Sequence, residues 1–412
     1  MWLAFMRRRC ACAAGSVVVL KSAVIVDAVR TPMGKMNGAL SAVPATELGS
    51  TTVRALLERT KLDPASVDLV VFGNVLTAGL GQNPARQVAL RAGLPHAVSA
   101  YQVGMVCGSG MKAVHAATQA IKAGDADIVI AGGMESMSRA PYLLPGARQG
   151  LRLGNSEAVD SMIHDGLWCS FEHIHMGSTG DHIARKYEIS RERQDAFALF
   201  SHQKAVRAAK SGDFDREIVP VAVEDRSGER TLVAADEGPR PDTSLEKLQR
   251  LHPVFSEGGT VTAGNASQIS DAAAALVVMS EEAAASQSVK PLARIVDYDA
   301  SGVAPLEVMI GPVGAIQSVL KRNAVRPEEL PLFEENEAFA SQTLAILHEV
   351  PIPLDRTNVH GGAVALGHPI GMSGARILTT LLWAMRKRQA PRGMAAMCLG
   401  GGEGLATLVE AV

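Results

Sequence analysis

Apolar, β-branched runs alternate along the chain with segments whose apolar positions recur at helical spacing. The predicted strands begin or lie at residues 23–26, 69–72 and 128–131, and the predicted helices lie at 45–60 and about 108–123. The third strand is predicted to end at Gly132 and Gly133. Strands that alternate with helices indicate an α/β fold.

The end of the chain repeats features of its beginning. Residues 107–110 (CGSG) lead into a helix and then into the run DIVIAGGM, while residues 371–374 (GMSG) lead into an apolar helix at 375–385 and then into GMAAMCLGGGE. A second pair occurs in the same order, because LDP at 62–64 precedes DLVVFGNV and VRP at 325–327 precedes LPLFEENE. Two ordered pairs predict a duplicated α/β domain.

The region between the two halves differs in composition. It is richer in charged residues, Met and His, and it contains a predicted polar helix at 190–211 and a turn zone at 238–242. Such a region is typical of a large insertion that covers or shapes a site. The predicted division is an N-terminal extension at 1–19, a first half at 20–138 plus 269–291, an inserted loop domain at 139–268 and a second half at 292–412.

Composition limits the classes of function. With 40 Lys and Arg against 42 Asp and Glu, the net charge of −2 gives no general electrostatic reason to bind nucleic acid or an acidic membrane. Aromatic residues make up 4% of the chain, which argues against base-stacking surfaces. No uncharged run is long enough for a membrane span.

The five cysteines indicate a reducing compartment. Their odd number in a large chain, without a CxxC pair, argues against a disulfide framework or a zinc ribbon, so no metal site is predicted. We expect a cytoplasmic protein. The mitochondrial matrix is the alternative, because the first 20 residues contain three arginines and no acidic residue, as transit peptides do.

Three residues stand out as candidates for chemistry. Cys107 precedes a predicted helix and is flanked by glycines, and a helix N-terminus lowers the pKa of a nearby thiol. His368 lies between Gly367 and Pro369 on a rigid turn, which suits a general base. Cys398 ends an apolar strand, and the glycines after it leave backbone N–H groups open to a substrate oxygen. Each has an ordinary alternative as a buried structural residue.

Asn336 is a fourth candidate. It follows a predicted strand at 332–335, where its side chain is able to orient a water molecule. The alternative is an ordinary turn asparagine.

Taken together, these segments resemble the thiolase family in order and spacing. The resemblance rests on CGSG at 107–110, NEAFA at 336–340, GGAVALGHPI at 361–370 and CLGGGEG at 398–404. Residues 24–36, 81–88, 132–139, 175–178 and 260–268 also resemble family segments, so the likeness covers roughly residues 20–412.

The resemblance implies a fold and a mechanism. Thiolases have two βαβαβαββ halves in a five-layer αβαβα arrangement, with a loop domain inserted in the first half. By the same resemblance, Cys107 is acylated by an acyl-CoA thioester, His368 activates it, and Cys398 exchanges a proton with Cα of a second acetyl-CoA. His368 and a water held by Asn336 would bind the enolate oxygen, and the N–H groups of Cys107 and Gly400 would bind the acyl-enzyme carbonyl.

The resemblance also implies contacts, substrate and assembly. Acyl-CoA thioesters would be the substrates, no cofactor is required, and a homo-oligomer, dimer or tetramer, is expected. We predict acetoacetyl-CoA as the substrate, formed from two acetyl-CoA, with longer 3-ketoacyl-CoA as the alternative. The candidate coenzyme A contacts lie mostly in the insertion and are Leu167, His175, Met176, Arg240, Phe255, Ala263, Ser267 and Phe339.

Several positions depart from the family pattern. Gly104, the segment 178–182, Gln268, Ala272 and the pair at 308–309 differ from many relatives, and all bear on acyl chain length rather than on the catalytic candidates.

Three other functions remain as alternatives. A ketosynthase-like condensing enzyme typically lacks the second cysteine, and an inactive acyl-CoA-binding relative would have an inert Cys107. A Rossmann dehydrogenase needs GxGxxG after the first strand, where this chain has AVRTPMG.

Overall fold

The computed structural model describes residues 20–224 and 228–412. The predicted extension at 1–19 lies outside these residues. Within the described ranges the strands are β1 Ala23–Arg30, β2 Gly34–Lys35, β3 Leu69–Gly73, β4 Ser99–Val103, β5 Ile128–Ser136, β6 Tyr142–Leu143, β7 Val159–Asp160, β8 Trp168–Cys169, β9 Ile174–His175, β10 Val221–Glu224, β11 Arg230–Val233, β12 Ser270–Ser280, β13 Ala293–Gly302, β14 Phe333–Glu335, β15 Arg392–Leu399 and β16 Glu403–Ala411. The helices are α1 Ala45–Thr60, α2 Pro84–Arg91, α3 Ser109–Ala123, α4 Met176–Lys186, α5 Arg191–Lys210, α6 Leu245–Gln249, α7 Glu281–Ser286, α8 Pro312–Arg322, α9 Ala340–Glu349, α10 Ala363–Leu366 and α11 Ser373–Arg388.

The main sheet shows the predicted duplication. Its strand order is β14-β15-β16-β13-β1-β12-β5-β3-β4, with β2 pairing with β12. β1 and β13 meet antiparallel at the centre through Val24 opposite Arg294 and Ile25 opposite Ala293. Outward from this junction, β12, β5 and β3 of the first half correspond to β16, β15 and β14 of the second half. The sheet therefore consists of two similar halves joined by a short contact.

Helices cover both halves of the sheet and separate them. One cluster of buried side chains joins α1 and α2 to the first half, and another joins α8 and α9 to the second half. The largest cluster combines α3 and α11 with strands of both halves, so these two helices form the middle layer. Strands covered on both faces are apolar along their whole length, and β12 is buried at every residue. The result is the predicted five-layer αβαβα arrangement.

Most predicted elements are present, and one strand boundary was wrong. β5 does not end at Gly132 and Gly133 but continues to Ser136. A Cβ atom on Gly132 would lie 2.2 Å from the Ala274 carbonyl oxygen of β12, so the glycine allows close strand pairing rather than ending the strand. The polar helix predicted at 190–211 is α5, and the Ser190 side chain caps its start.

The insertion between β5 and β12 contains α4, α5, α6 and short two-stranded sheets. It lies against the second half, because α5 contacts α10 and α4 contacts α9. The exact domain boundaries stay a prediction. Among the described residues, no helix is both long enough and apolar enough to cross a membrane.

Candidate active site

Cys107 lies in a strained turn between β4 and α3. The residue before it, Val106, has a φ of 43°, which is a rare and costly conformation for a β-branched residue. The Ser109 hydroxyl holds this turn, since it accepts from Met105 N at 2.9 Å and donates to Val106 O at 2.7 Å. A Cβ atom on Gly108 would lie 2.0 Å from Leu399 at the end of β15. The glycine therefore lets the turn approach the segment that carries Cys398.

The expected lowering of the Cys107 pKa was wrong. Burial raises the pKa of this thiol to about 11, although hydrogen bonds from the backbone N–H groups of Gly400 and Cys107 act in the opposite direction. The helix start alone does not overcome the desolvation of a thiolate. Part of the residue remains accessible, so a reagent can reach it. The free enzyme therefore holds a neutral thiol that needs a base.

His368 is held on a turn between α10 and α11. Gly367 before it has a φ of 116°, and the His368 N–H donates to the Gln268 carbonyl at 2.9 Å. Its Nδ1 lies 2.6 Å from the Ser373 hydroxyl, which donates its single proton to the Pro369 carbonyl at 2.9 Å. The hydroxyl is thus an acceptor for Nδ1–H, which leaves Nε2 as the nitrogen of the ring that carries a lone pair.

Charge and burial keep this imidazole neutral. Burial, assisted by the positive charge of Arg376, lowers the pKa of His368 to about 3. A neutral imidazole with a free Nε2 is the form that accepts a proton. The electrostatics therefore suit a general base.

Asn336 lies behind the imidazole at the end of β14. Its Nδ2 is 3.3 Å from both ring nitrogens of His368, and its Oδ1 is buried without a hydrogen-bond partner in the described protein. A buried oxygen of this kind normally accepts a hydrogen bond from a water molecule or a ligand. The residue does not line the main cavity.

Cys398 is the penultimate residue of β15 and is buried. Burial raises its pKa well above the usual value, and the nearby groups Cys107 and Glu335 raise it further. Cys398 and Cys107 line the same cavity. A buried thiolate at this position would be a strong base.

The two cysteines and the histidine share one cavity of about 430 Å³. Cys107, His368, Cys398 and Gly400 line it. All the predicted coenzyme A contacts line it as well: Leu167, His175, Met176, Arg240, Phe255, Ala263, Ser267 and Phe339. The wall also includes Gln268, Val308 and Met309, which were singled out as departures from the family pattern.

Aromatic residues of the insertion form one wall of this cavity. The rings of His175 and Phe255 stack with centroids 4.7 Å apart, and Phe255 meets Phe339 edge to face at 6.3 Å. A Cβ atom on Gly177 would lie 2.2 Å from the Phe255 ring, so glycine is required behind it. This wall joins the insertion to the segment that carries Asn336.

Two residues that support the site were missed at the sequence level. Ser373 orients His368, and the only available signal was its place in the GMSG segment. Glu135 is fully buried and accepts hydrogen bonds from Asn74 and from the backbone N–H groups of Val75, Leu76 and Gly371. It thereby ties the turn after His368 to the first half. Burial raises the pKa of Glu135 to about 7.

No group of three or more His, Cys, Asp or Glu side chains within residues 20–224 and 228–412 is arranged to hold a metal ion.

Comparison with known proteins agrees with this arrangement. Residues 23–282 match the family described as "Thiolase, N-terminal domain" and residues 289–411 match "Thiolase, C-terminal domain". The acetyl-CoA acetyltransferase of Thiocystis violacea is 52% identical over 387 residues, which are 94% of this chain and 98% of the relative. The probable acetyl-CoA acetyltransferase of Escherichia coli K12 is 52% identical over 391 residues, 95% of this chain and 99% of the relative.

A solved structure is similar over the same extent. The acetyl-CoA acetyltransferase of Bacillus anthracis superimposes with a TM-score of 0.93 at 41% identity, covering 95% of this chain and 99% of that chain. The two family matches span both halves of the duplicated fold and the insertion between them. The chain belongs to the thiolase family.

Proposed function

We propose that this thiolase is an acetyl-CoA C-acetyltransferase, which condenses two acetyl-CoA to acetoacetyl-CoA and free CoA and also catalyses the reverse thiolysis. The observation that carries the proposal is the single cavity shared by Cys107, His368 and Cys398, whose outer wall contains the candidate coenzyme A contacts. The names of the similar proteins from Thiocystis violacea and Bacillus anthracis agree with this activity.

In the first step, the Cys107 sulfur attacks the thioester carbonyl carbon of acetyl-CoA. His368 Nε2 takes the thiol proton and passes it to the departing CoA sulfur, so the C–S bond to CoA breaks as the bond to Cys107 forms. The N–H groups of Cys107 and Gly400 stabilise the negative charge on the carbonyl oxygen. One such donor contributes roughly 3–4 kcal/mol in other enzymes.

In the second step, Cys398 removes a proton from Cα of a second acetyl-CoA. A thioester Cα–H is a weak acid, and the raised pKa of Cys398 makes its thiolate a correspondingly strong base. His368 and a water held by Asn336 bind the enolate oxygen. The enolate carbon then attacks the carbonyl carbon of the acetyl group on Cys107, and the C–S bond to Cys107 breaks as acetoacetyl-CoA is released. The Cys107 thiolate takes up the proton that Cys398 removed from Cα, which restores both cysteines.

A panel of 3-ketoacyl-CoA thioesters of increasing chain length tests the substrate. We expect the highest kcat/KM for thiolysis of acetoacetyl-CoA, because Val308 and Met309 line the cavity and pack in one cluster with Cys398, where they would restrict a long acyl chain. The alternative is a thiolase of broader or longer-chain specificity. An equal or higher kcat/KM for a long-chain substrate would favour that alternative and contradict the proposal.

We further propose a homo-oligomer, either a dimer or a tetramer. The strand β4 lies at one end of the sheet, so no strand among residues 20–224 and 228–412 pairs with its outer edge, and such edges are usually covered by another element. The turn that carries Cys107 follows directly after this strand. Light scattering should give a multiple of the 43.3 kDa chain mass, and a mass equal to a single chain would contradict the proposal.

A reducing compartment is proposed as the place of action, the cytoplasm first and the mitochondrial matrix as the alternative. The mechanism requires Cys107 and Cys398 as free thiols, and both are free in the structure. Fractionation of cells with an antibody against the protein distinguishes the two compartments.

A further inference from the structure

The turn after β14 contributes to two parts of the site. Its first residue is Asn336, whose Nδ2 lies 3.3 Å from both ring nitrogens of His368. Ala338 and Phe339, further along the turn, line the cavity. Between them Glu337 has a φ of 53°, a rare conformation for a residue other than glycine. Such a conformation costs free energy and persists only where surrounding contacts hold it.

Two buried side chains hold the backbone of this turn. Glu335, the last residue of β14, accepts through Oε2 from the backbone N–H of Glu337 at 2.9 Å. Gln342 on α9 accepts through Oε1 from the N–H groups of Ala338 at 2.8 Å and Phe339 at 3.4 Å. Both side chains are fully buried. Three consecutive N–H groups of the turn are thus bound by one carboxylate and one amide.

The carboxylate and the amide are also bound to each other. Gln342 Nε2 donates to Glu335 Oε1, and the Thr343 hydroxyl donates to Glu335 Oε2. These partners are donors, so they stabilise the ionised form of the carboxyl group. Burial raises the pKa of Glu335 to about 7, and the donors oppose this rise. At about pH 8 most of the carboxyl group is therefore ionised.

The same turn fixes part of the cavity wall. The N–H of Ser267 donates to the Ala338 carbonyl at 3.0 Å. The Phe339 ring meets the Phe255 ring edge to face. A shift of the turn would therefore move Asn336 and this part of the wall together.

We propose that Glu335 and Gln342 are positioning residues, which hold the turn at 336–339 and thereby place Asn336 for the second step of the reaction. The proposal rests on the function given above, in which Asn336 holds the water that binds the enolate oxygen. Neither Glu335 nor Gln342 lines the cavity, so both act through the turn.

The two steps should respond differently to loss of these side chains. In the proposed first step, the N–H groups of Cys107 and Gly400 bind the carbonyl oxygen, and Ser373 holds His368. None of these contacts involves the turn. In the second step the enolate oxygen depends on Asn336. Turnover should therefore slow while Cys107 is still acetylated.

Glu335→Gln tests the carboxylate, because the new amide nitrogen must face a donor. We expect kcat for acetoacetyl-CoA thiolysis at about pH 8 to fall about 10- to 100-fold, the usual loss when a catalytic group is misplaced, while acetyl-CoA still acetylates Cys107. Gln342→Ala should give a loss of the same order. It leaves in place the charge of Glu335, which raises the pKa of Cys398. A loss in Glu335→Gln with a wild-type kcat in Gln342→Ala would overturn the proposal.

The double variant Glu335→Gln/Gln342→Glu exchanges the two groups. The amide oxygen at position 335 is then able to accept from Glu337 N–H and Thr343, while its NH₂ donates to the carboxylate at position 342. That carboxylate still has an oxygen for the N–H groups of the turn. The pattern of donors and acceptors is restored, so the double variant should regain most of the kcat lost in Glu335→Gln. A folded double variant with no recovery would contradict the positioning role.

The control is Ser341→Ala on the same helix. The Ser341 hydroxyl donates to the Gly180 carbonyl on α4 at 3.0 Å, not to the turn. Its loss should lower the melting temperature and leave kcat unchanged. Wild-type kcat in folded Glu335→Gln and Gln342→Ala would show that neither residue has a positioning role.

A crystal structure of Gln342→Ala tests the positioning without reference to activity. We expect Asn336 to be displaced from its 3.3 Å contact with His368, and an unmoved turn would overturn the proposal. A wild-type protein that neither acetylates Cys107 nor cleaves acetoacetyl-CoA would instead contradict the proposed function, so the two failures are distinguishable.

Discussion

The helices α3 and α11 occupy corresponding places in the two halves, yet they support different chemistry. They pack together in the middle layer, where a Cβ atom on Gly374 would lie 2.4 Å from the Met111 backbone nitrogen. Each begins with a serine that fixes the preceding turn. Ser109 holds the strained turn of Cys107, whereas Ser373 holds His368.

The difference between the two helices lies in what they bury. Both helices bury mainly apolar side chains, but α3 also buries His115 and Thr118, while α11 buries Arg376 and Thr380, which lie beside the carboxylates of Glu334 and Glu217. In the proposed mechanism, the first half supplies the nucleophile on a strained turn. The second half supplies the groups that transfer protons, and burial, assisted by the charge of Arg376, keeps the imidazole neutral. The two halves have similar backbones, and a few side chains that differ between them account for their different proposed roles.

The largest effect is expected from Cys398→Ala, which removes the proton-transferring sulfur of the second half. Cys107 should still be acetylated, but condensation should slow by about 10²- to 10⁴-fold, the usual contribution of a general acid or base. Steady-state rates and the fraction of acetylated protein measure this. A normal rate of acetoacetyl-CoA cleavage would show that the role assigned to Cys398 is wrong.

Gly374→Ala tests the close contact between the two helices. The added methyl group would meet the Met111 backbone, so we expect a loss of about 1–3 kcal/mol in stability, seen as a lower apparent melting temperature. Gly104→Ala is the matched control, because a Cβ atom there meets nothing within 4 Å. Equal melting temperatures for the two variants would contradict the contact.

Ser373→Ala should lower kcat by roughly 10-fold, because His368 would lose the acceptor that fixes its tautomer. Thr118→Val on α3 is the control, since the Thr118 hydroxyl bonds only to its own helix. Turnover of acetoacetyl-CoA measures both. An unchanged kcat in Ser373→Ala would mean that Asn336 alone orients the imidazole.

The last prediction concerns pH and needs no substitution. Because the pKa of Cys107 is raised to about 11, its thiolate fraction should rise about tenfold for each pH unit between 6 and 9. His368, with its pKa lowered to about 3, stays neutral throughout. Iodoacetamide labelling of the Cys107 peptide should follow this slope. A plateau near pH 7 would instead indicate a thiolate–imidazolium pair.

Local patterns were sufficient to predict the elements that carry the candidate site. The predicted helix at 45–60 agrees with α1, and the predicted duplication agrees with the sheet order. The five layers were implied by the resemblance to the family and not by local patterns. The boundary of β5 was wrong because the meaning of Gly132 depends on a neighbouring strand that is more than 100 residues away. The pKa of Cys107 was wrong for a similar reason. A helix start is visible in the sequence, but the burial that outweighs it is a property of the assembled fold.

Long-range contacts also explain what was missed. Ser373 and Glu135 lie in segments that were noted, GMSG and residues 132–139, but those segments do not reveal their hydrogen-bond partners on other turns or in the other half. The candidate contacts of the insertion were found through resemblance to the family rather than through local pattern. Their roles in binding coenzyme A remain predictions.

Peptide mapping after incubation with acetyl-CoA most directly tests the proposal that Cys107, and not Cys398, is the acetylated residue. We predict an acetyl group on the Cys107 peptide in the wild-type protein and in Cys398→Ala, and on neither cysteine peptide in Cys107→Ser. An acetyl group on the Cys398 peptide, or unchanged acetylation in Cys107→Ser, would contradict the account.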